Sequence, residues 1–227
     1  VSSLLVESPG FLTTVQDFGR PGHGLLGISA CGAADPIALH IGNRLVGNPA
    51  GAAALEMTLT GGTFRFPKGG VFALTGATFA ATLNGKTIDR WTSYAAPRES
   101  KLVVGPTTNG ARCYLCIAGG IQVPPFLGSA STHLLSSLGG FEGRALRHSD
   151  VLQLGAPSVP ILQRTIRPDA LETLKSRKTF RVTEGPQKDW FSEIVHRSFL
   201  ENTFQVTEDA NRMGLRLSGP ALNRVHN

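Results

Sequence analysis

The spacing of apolar and polar positions changes character twice along the 227-residue chain. Ser3–Glu7 is a short apolar-centred run that predicts a strand, and Ser8-Pro9-Gly10 turns it. Leu12–Gln16 is extended again. Asp17–Gly27 holds four glycines and a proline and predicts an irregular loop. Asp35-Pro36 then sets a helix start, with Asp as N-cap and Pro at the first helical position. Ile37, Ile41 and Leu45 recur every four residues, flanked by Leu39 and Val46, which predicts about three turns of helix. Gly47-Asn48-Pro49 ends it.

From Ala52 to Leu154 the pattern becomes short runs separated by glycines. The predicted strands are Ala54–Leu59, Thr63–Phe66, Val71–Thr75, Ala80–Leu83, Lys101–Val104, Arg112–Ile117 and Val151–Leu154. Asn84-Gly85 between Thr82-Leu83 and Lys86-Thr87-Ile88 is a strong hairpin signal. Many short strands with one helix imply a closed or nearly closed barrel, which removes exposed strand edges. Ala156–Pro160 reads as a linker, and a short helix follows near Asp169–Ser176. Thr179–Thr183 and Thr203–Thr207 read as strands around an amphipathic helix carrying Trp190, Phe191, Ile194 and Val195. The expectation is a mostly β chain with a few helices: a barrel over residues 1–157, a linker with a short helix over 158–178, and the unfinished start of a second domain over 179–227. Two or three strands cannot enclose a core alone, so they pack on the first domain or belong to a longer protein.

Composition narrows the classes. Hydrophobic residues are 41% and charged residues 17% of the chain, an ordinary globular balance. No apolar run approaches the ~20 residues of a membrane span, and the N-terminal stretch lacks a basic segment before its apolar residues. The expectation is a cytoplasmic protein with no membrane association. The formal charge is +6, but the basic residues are scattered apart from Lys175, Arg177 and Lys178. No stripe with interleaved aromatics is present, which argues against nucleic acid. Cys113-Tyr-Leu-Cys116 matches C-x-x-C formally, yet in a strand positions three apart face opposite sides. Together with the single odd Cys31 and no second pair, this predicts neither a metal site nor a disulfide framework.

Three segments carry candidate chemistry. Thr14–Gly22 places Gln16, Asp17 and Arg20 in a glycine-bounded loop where the backbone can approach a ligand and Arg20 can fork onto a carboxylate. The same residues equally suit an internal Asp17–Arg20 pair. Ser29–Asp35 puts small residues before a helix N-terminus, a position for an anion that Asp35 itself competes for. The long segment from Ile117 to Asp150 combines glycines with Ser129, Ser131, Thr132 and Arg144, groups suited to a polar substrate. A Ser131–His133–Asp150 triad stays open on residue types, without support from spacing. The phosphate-loop pattern Gly-x-x-x-x-Gly-Lys-Ser/Thr is absent.

In order, Thr14–Gly22, Gly27-Ile-Ser29, Gly32–Asp35, Asn43–Asn48, Ala54-Leu-Glu56, Leu74–Ala77, Ala118–Ile121, Leu127–Thr132, Gly139–Arg144, Gly185–Phe191 and Asn211–Pro220 resemble the biotin-dependent carboxyltransferase-like family. That family includes the C subunit of 5-oxoprolinase (the KipA type), allophanate hydrolase subunit 2 and the carboxyltransferase region of urea carboxylase. The resemblance implies two cyclophilin-like β-barrels in tandem and a partner of the KipI type, the B subunit of 5-oxoprolinase. One motif departs from the family's pattern: Ser29-Ala-Cys-Gly-Ala-Ala-Asp35 stands where Ser-x-Ser-Gly-Ala-Met-Asp is usual.

Three functions follow from the resemblance. The first is a subunit of an ATP-dependent hydrolase that opens an amide or lactam, with 5-oxoproline to glutamate as the leading reaction and ATP used at the level of the complex. There Asp17 would be base or orienter, and Gln16, Arg20, Ser29, Ser129, Ser131, Thr132 and Arg144 would hold the substrate. The second is allophanate hydrolysis or biotin-dependent carboxyl transfer, with biotin carried elsewhere because no Met-Lys-Met-like motif is present. The third is a regulatory protein that binds a KipI-type partner without turnover.

Overall fold

The structure is a computed structural model that describes residues 2–157, 163–175, 179–210 and 214–225. It falls into two compact units, Val1–Thr173 and Leu174–Asn227.

The first unit runs β1 (Ser2–Ser8), β2 (Leu12–Gln16), α1 (Pro36–Leu45), β3 (Ala54–Thr58), β4 (Thr63–Phe66), β5 (Gly70–Leu83), β6 (Lys86–Thr87), β7 (Ser93–Ala96), β8 (Ser100–Ile117), β9 (Ile121–Gln122), β10 (Val151–Leu154) and α2 (Pro168–Thr173). The ten strands form one sheet, ordered β2-β3-β8-β4-β1-β10-β9, with β5 paired to β8 and also bearing β6 and β7. The long β8 makes this possible: Ser100–Val103 pair with β4, and Arg112–Leu115 pair with β3. The sheet curls into a nearly closed barrel, the architecture expected of the first domain. Leu4, Val6, Leu55, Met57, Phe64, Phe66, Phe72, Leu102 and Leu115 fill its interior. The Phe66 and Phe72 rings stack 5.4 Å apart.

Two pairs of predicted strands are single strands. Val71–Thr75 and Ala80–Leu83 both belong to β5, and Lys101–Val104 and Arg112–Ile117 both belong to β8. Gly76 and Gly105–Gly110 read as breaks, but the two strands stay paired through bulges between Gly76 and Ala81. Gly76 sits at φ +91°, so it supplies a bulge rather than a chain reversal. The Asn84-Gly85 hairpin forms as expected, with both residues left-handed (φ 50° and 79°).

α1 lies on the outer face of β5 and β8. Asp35 Oδ1 accepts from the Ala38 N–H at 2.9 Å, and Ala38, Leu39, Gly42, Asn43 and Leu45 are buried beneath the helix. Gly42 allows the close approach, since a Cβ there would stand 2.6 Å from Cys116 Sγ and 2.8 Å from Thr75 Oγ1. The two strand cysteines do face opposite ways: Cys113 joins the barrel core, while Cys116 lies under α1 near the Leu39 carbonyl. Beyond the barrel, the chain folds back on β7. Ser93 N–H donates to the Arg164 carbonyl, Arg164 N–H to Ser93 Oγ, and Ile166 N–H to the Trp91 carbonyl, all at 2.8–2.9 Å.

The second unit contains α3 (Glu193–Glu201) and the short pair β11 (Gln205–Val206) and β12 (Leu217–Ser218). Thr179–Thr183, expected as a strand, has no strand pairing; the only sheet among the unit's described residues is β11–β12. An extended run becomes a strand only when a neighbour takes up its backbone groups. The expected strand over Thr203–Thr207 shrinks to Gln205–Val206 for the same reason, and the amphipathic helix starts after Phe191 rather than at Trp190. Part of the expected linker (158–160), Arg177 and Lys178, and the start of the Asn211–Pro220 motif lie outside the described residues. No helix among those residues is long and apolar enough to cross a membrane, and they contain no metal-holding group of three His, Cys, Asp or Glu.

Candidate functional site

Two glycine-flanked segments chosen from the sequence meet at the end of β2. Asp17 follows the strand, and residues 126–132 wrap over it. Asp17 Oδ1 accepts from the Gly19 N–H at 2.7 Å, the Ser129 hydroxyl at 2.6 Å and the Ser131 hydroxyl at 2.5 Å. Its Oδ2 accepts from the Ala130 N–H at 2.6 Å. The Asp17 N–H in turn donates to Ser131 Oγ at 3.0 Å. Thr132 adds a strand-like contact, with its N–H and hydroxyl both donating to the Val15 carbonyl at 3.0 and 2.9 Å.

Arg20 extends this clasp. Its side chain is almost wholly buried, with Nε donating to the Phe126 carbonyl at 3.2 Å and Nη2 to the Ser131 carbonyl. The guanidinium stacks over the Phe126 ring, 5.4 Å from its centroid. Asp17 and Arg20 therefore form no direct pair; both grip Ser131, one by its hydroxyl and the other by its carbonyl. Gln16, equally buried, donates to Thr14 Oγ1 at 3.0 Å and the Thr132 carbonyl at 3.3 Å. Arg20 Nη1 and Gln16 Oε1 are buried without protein partners.

Gly139 and Gly140 close the clasp from outside. A Cβ on Gly139 would stand 2.7 Å from Arg20 Nη2, and one on Gly140 would stand 2.8 Å from Thr132 Cβ. These glycines permit protein to approach protein, which does not fit a cradle for phosphate.

Ser29 and Arg144 stand apart from the clasp. Ser29 Oγ accepts from the Cys31 N–H at 3.3 Å. Arg144 forks onto Asp150 at 2.7 and 2.9 Å, also pairs with Glu142 at 2.6 Å, and lies over the Phe141 ring. The Arg144 hydrogen bonds hold the Asp150 carboxyl below its ordinary range. Asp150 is thus committed to Arg144 and Ser131 to Asp17, so Ser131, His133 and Asp150 form no triad.

A second buried polar group escaped sequence reasoning. Thr14, Glu56, Tyr114 and Thr75 stand directly across from one another on β2, β3, β8 and β5. All four are buried on the sheet's outer face. The Tyr114 hydroxyl donates to Glu56 Oε2 at 2.7 Å and accepts from the Asp35 N–H at 2.8 Å. Glu56 Oε2 also accepts from the Ala34 N–H at 2.9 Å, and Arg112 lies 3.5 Å from Oε1. Burial, then the Glu56 charge, pushes the Tyr114 phenol well above its ordinary value. The signal was a lone Glu and a lone Tyr at matching places in otherwise apolar strands. Gln16 joins this row to the clasp through Thr14, so one polar layer underlies the 17–35 loop and the start of α1.

Among the sequence-chosen residues, Asp17, Ser29 and Arg144 retain exposed surface, while Gln16, Arg20, Ser129, Ser131 and Thr132 are buried. The clasp's hydroxyls already donate inward. The arrangement fixes the loop's geometry and leaves Asp17 Oδ2 with spare acceptor capacity.

Residues 26–227 match the model of the carboxyltransferase domain, subdomain A and B. The chain is 40% identical over 224 residues to the C subunit of 5-oxoprolinase from Escherichia coli, covering 98% of this chain and 70% of that protein. It is 36% identical to urea amidolyase of Saccharomyces cerevisiae over 96% of this chain but only 12% of that protein. The crystal structure of Kluyveromyces lactis urea carboxylase superposes with a TM-score of 0.86 at 35% identity, over 98% of this chain and 21% of that one.

Proposed function

The chain belongs to the carboxyltransferase domain family, subdomain A and B, and on that premise we propose that it is one subunit of an ATP-dependent complex that hydrolyses a C–N bond, with 5-oxoproline opened to glutamate. The observation that carries this is the 40% identity to the C subunit of 5-oxoprolinase across 98% of the chain and 70% of that relative. The relative's name makes it one subunit of its enzyme, in contrast to the urea amidolyase, of which this chain matches only 12%.

Opening a lactam requires a polarised carbonyl and a stabilised oxyanion. In this proposal Asp17 orients: its Oδ1 is filled by three donors, and it sets the Ser129–Thr132 backbone rather than abstracting a proton. Arg20, Gln16 and Thr132 brace the same wall from within. Ser29, which retains exposed surface, is the group we assign to substrate contact; the Arg144 guanidinium is taken up by Asp150, Glu142 and the Ala145 carbonyl and braces its own turn. ATP enters at the level of the complex, and the Gly139-Gly140 turn, packed against Arg20 and Thr132, is not assigned to it. Biotin enters only if the reaction is carboxyl transfer. Residues 179–227 are assigned to the start of a second barrel.

Allophanate hydrolysis or urea carboxylation is the second proposal, favoured by the 0.86 TM-score against urea carboxylase. Co-expression with partner subunits, followed by glutamate release from 5-oxoproline plus ATP, separates the two. ATP-dependent glutamate release supports the first. Turnover of allophanate or urea with none of 5-oxoproline selects the second, and tight association without any turnover points to a regulatory binder.

A further inference from the structure

The chain contains two Asn-Gly dipeptides, Asn84-Gly85 and Asn109-Gly110. An asparagine before glycine can lose its side-chain amide without an enzyme. The glycine main-chain nitrogen gives up its proton to base and attacks the asparagine Cγ. An N–Cγ bond forms, the Cγ–Nδ2 bond breaks, and ammonia leaves behind a cyclic imide. Water then opens either C–N bond of the imide, giving aspartate or isoaspartate; nothing is oxidised or reduced. Glycine favours the attack because it has no Cβ and reaches backbone angles closed to other residues. Both dipeptides are exposed and share the same chemistry, so the fold decides which one reacts.

Asn84 is held. It lies in the tight turn between β5 and β6, at φ 50°. Its N–H donates to the Lys101 carbonyl and its Oδ1 accepts from the Lys101 N–H, both at 2.8 Å. Its Nδ2 donates to Ser100 Oγ at 3.1 Å, and Ser100 is buried. Both ends of the side-chain amide are thus tied to the start of β8. The attack requires Cγ to swing toward the Gly85 nitrogen, which breaks those two bonds.

Asn109 is not held. Among the described residues no hydrogen bond or ion pair engages its side chain. The backbone beside it also leaves the regular ladder. β5 pairs Thr78 with Asn109 and then Gly76 with Cys113, so Gly110, Ala111 and Arg112 stand against the single residue Ala77. β3 takes up Arg112 and reaches no further. Gly110 therefore has no opposite residue in either register. It sits at φ +85°, and a Cβ there would stand 2.7 Å from Ala77 Cβ. The Thr107 hydroxyl donates to the Gly110 carbonyl at 2.8 Å, which engages its oxygen and not its nitrogen. A bulged residue opens locally at lower cost than one in a continuous ladder.

We propose that Asn109-Gly110 is a site of spontaneous deamidation and that the fold shields Asn84-Gly85 from the same reaction. Either product adds a carboxylate to β8. Isoaspartate also adds a methylene to the main chain, at a bulge that already accommodates extra residues. The reaction needs neither a partner subunit nor a substrate other than water.

The two sites fall in separate tryptic peptides, 69–86 and 102–112. The whole chain is incubated at mildly alkaline pH, folded and separately unfolded in urea. Mass spectrometry of the peptides follows conversion, and enzymatic methylation counts isoaspartate. In the folded chain Asn109 should convert at least about tenfold faster than Asn84, and in the unfolded chain the two rates should converge. Ser100→Ala, which releases Asn84 Nδ2, should raise the Asn84 rate severalfold and leave Asn109 unchanged. Asn109→Ser should abolish the fast conversion at an unchanged melting temperature. Equal rates at the two sites of the folded chain overturn the proposal. So does faster conversion at Asn84, or a folded chain that converts at neither site while the unfolded chain converts at both. An Asn84 rate unmoved in a well-folded Ser100→Ala overturns the assigned shield, and the wild-type comparison needs no variant to fold.

Discussion

Asp17 and Ser131 exchange hydrogen bonds in both directions: the Asp17 N–H donates to Ser131 Oγ at 3.0 Å, and the Ser131 hydroxyl donates to Asp17 Oδ1 at 2.5 Å. Asp17→Asn keeps the size but replaces one acceptor oxygen with an amide donor, facing groups that themselves donate. The expected loss is about 2–4 kcal/mol of stability. Ser129→Ala removes one donor to Asp17 and the acceptor of the buried Ser131 N–H, and costs about 1–3 kcal/mol. Urea denaturation of both variants measures the difference.

Tyr114→Phe tests the buried row. It removes the group that joins Glu56 to the Asp35 N–H, at a cost of about 1–3 kcal/mol. The effect is local as well as global: amide exchange should rise across residues 33–45, where the loop meets α1. Unchanged exchange there would mean that Tyr114 does not seat the helix.

Acid stability follows from Arg144 and Asp150. The folded-state carboxyl of Asp150 is held below its unfolded value by Arg144. Its contribution is therefore complete above the unfolded pKa of about 3.9 and is lost as pH falls through the folded value. Asp150→Asn should be less stable than wild type at pH 7 and should show a shallower decline below about pH 4. Denaturation midpoints across pH 2–7 provide the comparison.

The thiols should separate by burial. Burial pushes the Cys113 thiol up to about 12, and Cys116 is raised in the same way. Cys31 is partly exposed. Iodoacetamide at pH 8 should label Cys31 alone in the native protein, and all three cysteines once the chain is unfolded. Mass spectrometry of the tryptic peptides reads the outcome.

Local signals were legible in the sequence. Asp35-Pro36 and Asn84-Gly85 set their helix start and hairpin because each acts through its own neighbours. Gly76 and Gly105–Gly110 misled because a glycine makes a break or a bulge according to whether a distant strand keeps pairing. Thr179–Thr183 misled in the opposite sense, since its extended pattern carries no information about whether a partner exists. The clasp residues were legible by type, as two separate segments. Their burial was not, because the hydroxyls that fill Asp17 lie 112 and 114 residues further along the chain. Glu56 was marked by the Ala54-Leu-Glu56 motif, but its burial was hidden because Leu55-Glu56-Met57 reads as a strand with one wet face, whereas loop 33–35 covers that face.

That separation in sequence has a consequence for how the protein reaches its native state. Closing a contact across more than a hundred residues is entropically costly until the intervening strands have paired. The Asp17–Ser131 clasp therefore belongs to the final stage of folding, after β3, β4, β5 and β8 are assembled. A bond made after the rate-limiting step acts on how fast the native state comes apart, not on how fast it forms. The clasp is a kinetic lock: weakening it shortens the lifetime of the folded loop while leaving the refolding rate nearly untouched.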